Sequence, residues 1–477
     1  MQKKFISNLI LIVLLNLLVK PLAIFGIDAG VQNRVGTETY GLYFSLLNLS
    51  FIFNIVGDLG INNFTTRNIA RYPLVMPKYF GQILGFRLLL FLLYTALTMT
   101  TGFFAGYRGE ALYFLSVLIL NQLLATLIAY FRSHFGGLHL FKTDAIVSVL
   151  DRSLLILLCG IAFFMESSLG IFQIEWFIWL QTISYAITLI IAFMLLIREI
   201  GVPRLRFKRA VSYSILRQSL PFATLILLMM LYTRSDSVLL ERLHPKGAYE
   251  AGIYAKGFRL LDALYMFGMI FANLLLPLFA RSLKEDIVKV LPLLKMSSRL
   301  LIGGSILIAF LCHFHAERIL GWVYLSELKE AARPFRLIMW GFIGMSTSLI
   351  FGSLLTAGGE LKLLNFFSVF GVILNVLLNL LLIPKWGANG AALTCLITQG
   401  IMAVVQLIIC IKRFDYSWTK LGIHSYFLFS VWMLLLHTVP APSLTSMLVM
   451  LIGGMIGLFL FKLIDLTAIV RTFKENS

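Results

Sequence analysis

A chain of 477 residues with 59% hydrophobic and only 13% charged residues, at a mean hydropathy of +0.91, is too apolar for a water-soluble globule and reads as a polytopic membrane protein. Its formal net charge of +18 would suggest a nucleic-acid partner in a soluble domain. Here the basic residues sit in short tracts between long apolar runs, as loops facing an anionic leaflet do, so none is expected.

Along the chain, Met1-Gln2-Lys3-Lys4 precedes an apolar run that lacks a small-residue cleavage site and continues through Lys20-Pro21, so an uncleaved first span is expected near 6–27. About 20 apolar residues cross a hydrocarbon core roughly 30 Å thick. That ruler places further spans near 40–63, 81–105, 110–131, 144–165, 174–197 and 218–240, then near 251–280, 296–312, 337–357, 363–383, 388–411, 422–439 and 444–461. The expectation is an all-α membrane protein of about 14 transmembrane helices. With the N-terminus inside, cytoplasmic tracts hold most of the 40 Lys and Arg residues. The outer loops hold Arg34, Arg108, Arg242, Lys246, Arg318, Lys329, Arg333, Arg336 and Lys385. One missed span would scramble this asymmetry, so both termini are expected to be cytoplasmic.

The longest basic tract, from Arg198 to Arg217 with Arg204, Arg206, Lys208 and Arg209, falls between the sixth and seventh spans. It reads as a cytoplasmic linker between an N-terminal lobe (1–200, spans 1–6) and a C-terminal lobe (201–414, spans 7–12), with spans 13 and 14 and a short cytoplasmic tail in 415–477. Gly41-Leu42-Tyr43 opens the second span and Gly252-Ile253-Tyr254 opens the eighth, each with a glutamate just upstream, Glu38 and Glu250. The echo suggests two parallel repeats, a known transporter plan.

No loop in this map exceeds roughly 25 residues, which leaves no room for a soluble catalytic domain. There is no G-x-x-x-x-G-K-[ST] loop and no H-E-x-x-H, so neither an enzyme nor a cofactor is expected. Cys159, Cys312, Cys395 and Cys410 lie singly in apolar stretches, without metal-ligand spacing, and read as small core residues. His313-Phe314-His315, at the outer end of the ninth span, reads as an interfacial polar cap rather than a metal site.

The chemistry is carried by charges inside spans, each costing at least a few kcal/mol if left facing lipid at mid-depth. Lys20 and Asp28 lie on the first span, Arg234 and Asp236 on the seventh, and Lys256, Arg259 and Asp262 on the eighth. At about 100° per residue, the last three share one helix face. Asp58 with Asn62 and Asn63, Arg87, and Asp151-Arg152 lie deeper toward the cytoplasm. Mutual neutralisation fits Arg259 with Asp262 and Asp151 with Arg152, and snorkelling to an interface fits Arg34, Arg67 and Arg87. Lys20, Arg234 and Lys256 outnumber the acids near them, which implies a wetted, cationic cavity completed by water or an anion. Such a cavity attracts phosphate or pyrophosphate. Attached sugars would need polar space of the kind Asn16, Gln32, Tyr43, Asn48 and Tyr254 provide.

Three stretches together carry a resemblance. They are Asp58-Leu59-Gly60-Ile61 leading to Arg67, Gly252-Ile253-Tyr254 with Pro277 beyond it, and the segment from Asn375 to Gln399. In the last, Ile383-Pro384-Lys385-Trp386-Gly387 is followed by Gly390-Ala391-Ala392. Over most of the chain this resembles the polysaccharide transporter family, which includes the Wzx-type O-antigen flippases and belongs to the MOP superfamily with the multidrug extrusion (MATE) proteins. The resemblance implies two six-helix bundles in a V, two extra C-terminal helices, and a multi-pass protein of the bacterial inner membrane. It also implies movement of an undecaprenyl-diphosphate-linked oligosaccharide, such as an O-antigen, capsule or exopolysaccharide unit, by alternating access.

By span and depth, the resemblance makes Lys20, Arg234, Lys256 and Arg259 candidate diphosphate contacts. Asp28, Asp236 and Asp262 become candidates for charge balance or for coupling to H+ or Na+. The partners implied are the lipid-linked oligosaccharide, membrane lipids and glycan polymerase machinery. Two readings in the same superfamily stay open: a lipid II flippase of peptidoglycan synthesis, and a multidrug or cation antiporter, which usually needs an acidic, aromatic pocket and 12 spans. A membrane polymerase or ligase would ordinarily show a large outer loop with catalytic Arg and His, and none is visible.

Overall fold

The computed structural model describes residues 15–464 apart from 17, 63–64, 67–68, 70–79, 202–208, 286, 418–420 and 440–441. The basic N-terminal flank, Asn63, Arg67, the linker residues Arg204, Arg206 and Lys208, and the end of the tail lie outside the described residues.

After a π-helical turn, Ala23–Asp28, the helices are α1 (Ala29–Val35), α2 (Thr37–Ile52), α3 (Asn54–Asp58), α4 (Phe80–Phe104), α5 (Glu110–Gly137), α6 (Phe141–Phe164) and α7 (Ile174–Ile200). There follow α8 (Arg209–Leu243), α9 (Gly247–Glu285), α10 (Val290–Phe314), α11 (Leu328–Ala357), α12 (Leu361–Arg413), α13 (Ile423–His437) and α14 (Ser443–Leu460). Among the described residues there is no strand, and nine helices are long and apolar enough to cross a membrane. The protein is an all-α, polytopic membrane protein. Helices dominate because backbone N–H and C=O groups in hydrocarbon must be satisfied within the segment itself.

The hydropathy ruler separates spans at 363–383 and 388–411, whereas α12 runs through both. The break is nevertheless where the sequence puts it, at Gly387, whose φ of 52° and ψ of −130° are non-helical. Glycine alone enters that region without steric cost. The chain folds back closely enough that a Cβ on Gly390 would lie 2.5 Å from the Leu382 carbonyl oxygen.

The helices expose apolar groups to their surroundings and bury polar ones alongside an apolar core. On α4, Ile83, Arg87, Leu90, Tyr94 and Thr98 are buried along one stripe, while Leu88, Leu89, Leu92 and Leu93 are exposed on the other side. Apolar side chains lose nothing by meeting lipid, so the buried stripe can hold the polar groups that link helices.

The described residues fall into two compact units, one ending at Gly252 and one beginning at Ile253. In the first, α5 packs on α7, α2 and α6, while α8 packs on α2. A buried cluster including Phe80, Phe86, Tyr130, Phe131, Phe135 and Leu196 fills its interior. The two echoed glycines meet there, since a Cβ on Gly41 would lie 1.8 Å from the Ala248 carbonyl oxygen and 2.5 Å from the Gly252 nitrogen. Gln32 adds a hydrogen bond from its amide to the Gly252 carbonyl at 2.9 Å. In the second unit, α11 packs on α10 and α12, and α13 and α14 pack on each other and on α10. The four cysteines are free and buried.

Candidate functional site

The site in the first unit begins with a turn. Asp58 ends α3, Leu59 takes the left-handed region at φ 44°, and Gly60 follows at φ 76°. The Gly60 N–H donates to Oδ2 of Asp58 at 3.2 Å, the side-chain-to-backbone bond two residues on by which an aspartate stabilises a tight turn. This leaves Oδ1 facing α4, where Nη2 of Arg87 donates to it at 3.0 Å.

Arg87 is 2% exposed, so its charge depends on that partner and others. Nη1 donates to Oδ1 of Asn62 at 2.6 Å and Nη2 to the Thr126 carbonyl at 3.2 Å. The guanidinium also lies 4.9 Å from the Tyr130 ring centroid. Snorkelling is therefore the wrong account of Arg87. The side chain turns inward because Asp58, Asn62 and a helix carbonyl offer more than the interface does.

Above this network is a cavity of about 400 Å³ lined by residues of α2, α3, α5 and α8, among them Phe51, Asn54, Asp58, Asn62, Thr126 and Arg234. Ala125, Ala129, Ile226 and Met230 give it apolar walls. Arg234 is half-buried, donates from Nη1 to Oδ1 of Asn48 at 3.2 Å, and lies 5.5 Å from the Phe51 ring centroid. Asn54 donates to Oε1 of Gln122 at 3.0 Å. The wall thus carries the Arg234 guanidinium and the Asp58 carboxylate, with Arg87 paired to Asp58 behind it. A guanidinium on a cavity wall can give a phosphate two parallel N–H bonds.

The other sequence-predicted groups are placed elsewhere. Lys20 is half-buried, and its charged neighbours are Arg132, Arg152 and Asp151; it does not line the Arg234 cavity. Asp28 and Tyr43 lie within electrostatic range of Arg152, which donates to the Tyr185 hydroxyl at 3.0 Å and lies 3.6 Å from Asp151. The first-span charges thus join a polar cluster of α6 and α7. Tyr43 in turn accepts from the Gln181 amide at 2.9 Å, and Asn16 donates to Ser148 at 3.0 Å. Asp236 is fully buried in the first unit.

In the second unit Lys256 is 1% exposed and donates to Oε2 of Glu327 and to the Ser326 carbonyl at 2.8 Å. Glu327 holds this position in the left-handed region at φ 48°, just before α11. The expectation that water or an anion completes the Lys256 charge overlooked this carboxylate, which comes from the loop before α11. Arg259 is 8% exposed and lies 3.8 Å from Asp262, the neutralising geometry expected three residues apart. No group of three or more His, Cys, Asp or Glu residues that could hold a metal occurs among the described residues.

Sequence reasoning listed Asp58, Asn62 and Arg87 but did not join them. The available signal was the Asp-Leu-Gly turn, which fixes the carboxylate direction, followed four residues after Asp58 by an asparagine.

The comparisons with known proteins agree with this architecture. An uncharacterized membrane protein of Methanocaldococcus jannaschii is 23% identical over 401 residues, covering 78% of this chain and 91% of that protein. The lipid II flippase MurJ in an inward closed conformation matches with a TM-score of 0.68 at 17% identity, covering 95% of this chain and 98% of that one. An inward-facing multidrug resistance MATE family transporter of the MOP superfamily matches with a TM-score of 0.61 at 14% identity, covering 82% and 94%. At these identities the structures establish a shared fold. The sequence model of the polysaccharide biosynthesis protein family matches residues 5–283, more than half of the chain, and the protein therefore belongs to that family.

Proposed function

We propose that the protein is a flippase that moves a polyprenyl-diphosphate-linked oligosaccharide across a bacterial cytoplasmic membrane, with both termini on the cytoplasmic side. The observation that carries this reading is the cavity with Arg234 on its wall and the Asp58–Arg87–Asn62 network behind it. An arginine on the wall offers a diphosphate charge-assisted donors, whereas a multidrug or cation antiporter would need an acidic, aromatic pocket. Membership of a polysaccharide biosynthesis family and a fold shared with a lipid II flippase support the same cargo chemistry.

In this reading the polyprenyl tail stays in lipid while the headgroup enters the cavity, and two lobes built from 1–200 and 201–414 alternate its exposure. Arg234 makes the first diphosphate contact. Lys20 in the first unit, and Arg259 and Lys256 in the second, are further cationic contacts met separately along the cargo path, Lys256 when a phosphate competes with Glu327 for its ammonium. Asp28, Asp236 and Asp262 balance these charges or couple transport to H+ or Na+. The protein then acts as a transporter, without bond-making chemistry of its own, and passes its cargo to glycan polymerase machinery.

The test is transport in proteoliposomes holding the purified protein and a fluorescent undecaprenyl-diphosphate-linked oligosaccharide, followed by a membrane-impermeant reagent that modifies only the outer-leaflet sugar. Protein-dependent translocation, with lipid II and a cationic dye moved poorly, is expected. Transport of the dye or of lipid II in preference to the oligosaccharide would overturn the assignment.

A further inference from the structure

The His313-Phe314-His315 segment leads into a basic cluster in the second unit that the proposed transport site does not use. Four elements contribute: the end of α10, the short helix Ala316–Gly321, the start of α11 and the end of α13. The Trp340 indole donates to Nδ1 of His313 at 3.1 Å, which fixes that ring. The His437 ring stacks on Phe314 at 3.6 Å between centroids and 14° between planes.

Around this aromatic frame the polar atoms lack acceptors. His315 is 8% exposed, and its Nε2 has no hydrogen-bond partner among the described residues. The same holds for the buried Nη1 of Arg318 and the buried Nε of Arg336. Among the charges acting on His315 are His437 and Arg318, and among those acting on His313 are Arg336 and His437, all basic. Burial first, then the positive charge of His437 and Arg318, holds the His315 imidazole below its ordinary range. It is therefore neutral at neutral pH, with one ring N–H to give.

A buried donor left without an acceptor has given up its solvation for nothing, and the cost is greater when the donor is charged. A metal ion would be repelled by the arginines. A group with several oxygens and negative charge would give these donors acceptors and offset the positive charge around the two histidines. The geometry points to an oxyanion site for a phosphate group at this end of the second unit, with His315, Arg318 and Arg336 as its donors. A phosphodiester lipid headgroup and free inorganic phosphate share that chemistry.

The full-length protein in uncharged detergent tests this in two arms. Inorganic phosphate is titrated while the thermal unfolding midpoint is followed, and phosphatidylglycerol adducts are counted by native mass spectrometry against a neutral diacylglycerol. Saturable binding of either probe is expected, about tenfold weaker in Arg318→Gln/Arg336→Gln and about fivefold weaker in His315→Phe. Binding in Arg281→Gln, which alters an exposed arginine paired with Glu285, should stay unchanged. Phosphatidylglycerol binding alone assigns the site to a lipid, and phosphate binding alone assigns it to a soluble anion. Should the double variant not fold, His315→Phe decides. Equal binding by this variant and the unmodified protein, or no saturable binding of either probe, overturns the site.

Discussion

Arg234 of α8 and Asn48 of α2 lie 186 residues apart in sequence and are joined by a hydrogen bond of 3.2 Å. The bond ties together two helices that wall the cavity and holds the guanidinium at its edge. Arg234→Gln should lower oligosaccharide transport about tenfold or more, because a charge-assisted phosphate contact is lost. Arg234→Lys should recover part of it, since an ammonium keeps the charge but not the two-pronged geometry. Transport rates in proteoliposomes, normalised to inserted protein, measure both. Full activity in Arg234→Gln would remove Arg234 from the cargo path.

The Asp58–Arg87 pair should behave as a unit. Arg87 is almost fully buried, so Asp58→Asn leaves its charge without a counterion, a change expected to destabilise the protein by ~3–5 kcal/mol. Asp58→Asn/Arg87→Met removes both charges and should be more stable than Asp58→Asn alone. Thermal unfolding in detergent compares the three proteins. A double variant no more stable than the single one would show that the pair is not coupled.

Much of the fold was legible because hydrocarbon imposes a length and a composition on each segment. The span ruler finds the helices, and Pro384 to Gly387 marks the break inside α12. The matched glycines at 41 and 252 point to helix starts, although not to each other. The pairings were less legible because they join distant positions. Arg87 reaches back 29 residues to Asp58, and Lys256 reaches 71 residues forward to Glu327. Counting charges within spans misses the second pair, since Glu327 sits in a loop whose strained φ turns it toward α9. Depth along a span likewise grouped Lys20 with Arg234, whereas packing on α6 gives Lys20 the neighbours Asp151 and Arg152.

Gly41 should tolerate no side chain. A Cβ there would lie 1.8 Å from the Ala248 carbonyl oxygen, a backbone atom that cannot swing away. Gly57 has nothing within 4 Å of the same position. Gly41→Ala should therefore abolish or strongly reduce monodisperse protein on size-exclusion chromatography, and Gly57→Ala should not. Normal behaviour of Gly41→Ala would contradict the close approach.

Glu166, between α6 and α7, gives one pH-dependent contact. It accepts from the Phe172 N–H at 3.2 Å and from Nε of Arg34 at 3.0 Å, and these hold its carboxyl below the usual range. A depressed folded value means the contact contributes fully above the unfolded glutamate value of about 4.3 and is lost as pH falls through the folded one. Hydrogen exchange at Phe172 should be slow at neutral pH and accelerate, beyond the intrinsic pH trend, only in strong acid. Glu166→Gln should show the faster exchange at every pH. No difference between the two proteins at neutral pH would count against the contact.

The most direct test of the diphosphate site is photo-crosslinking with an undecaprenyl-diphosphate analogue that carries its photoreactive group next to the phosphates. Labelled residues are located by mass spectrometry, with unlabelled lipid-linked oligosaccharide as competitor. The account predicts competed adducts on the wall formed by Asn54, Thr126, Met230 and Arg234, lost in Arg234→Gln. Competed adducts confined to other helices, with none on that wall while transport proceeds, would contradict it.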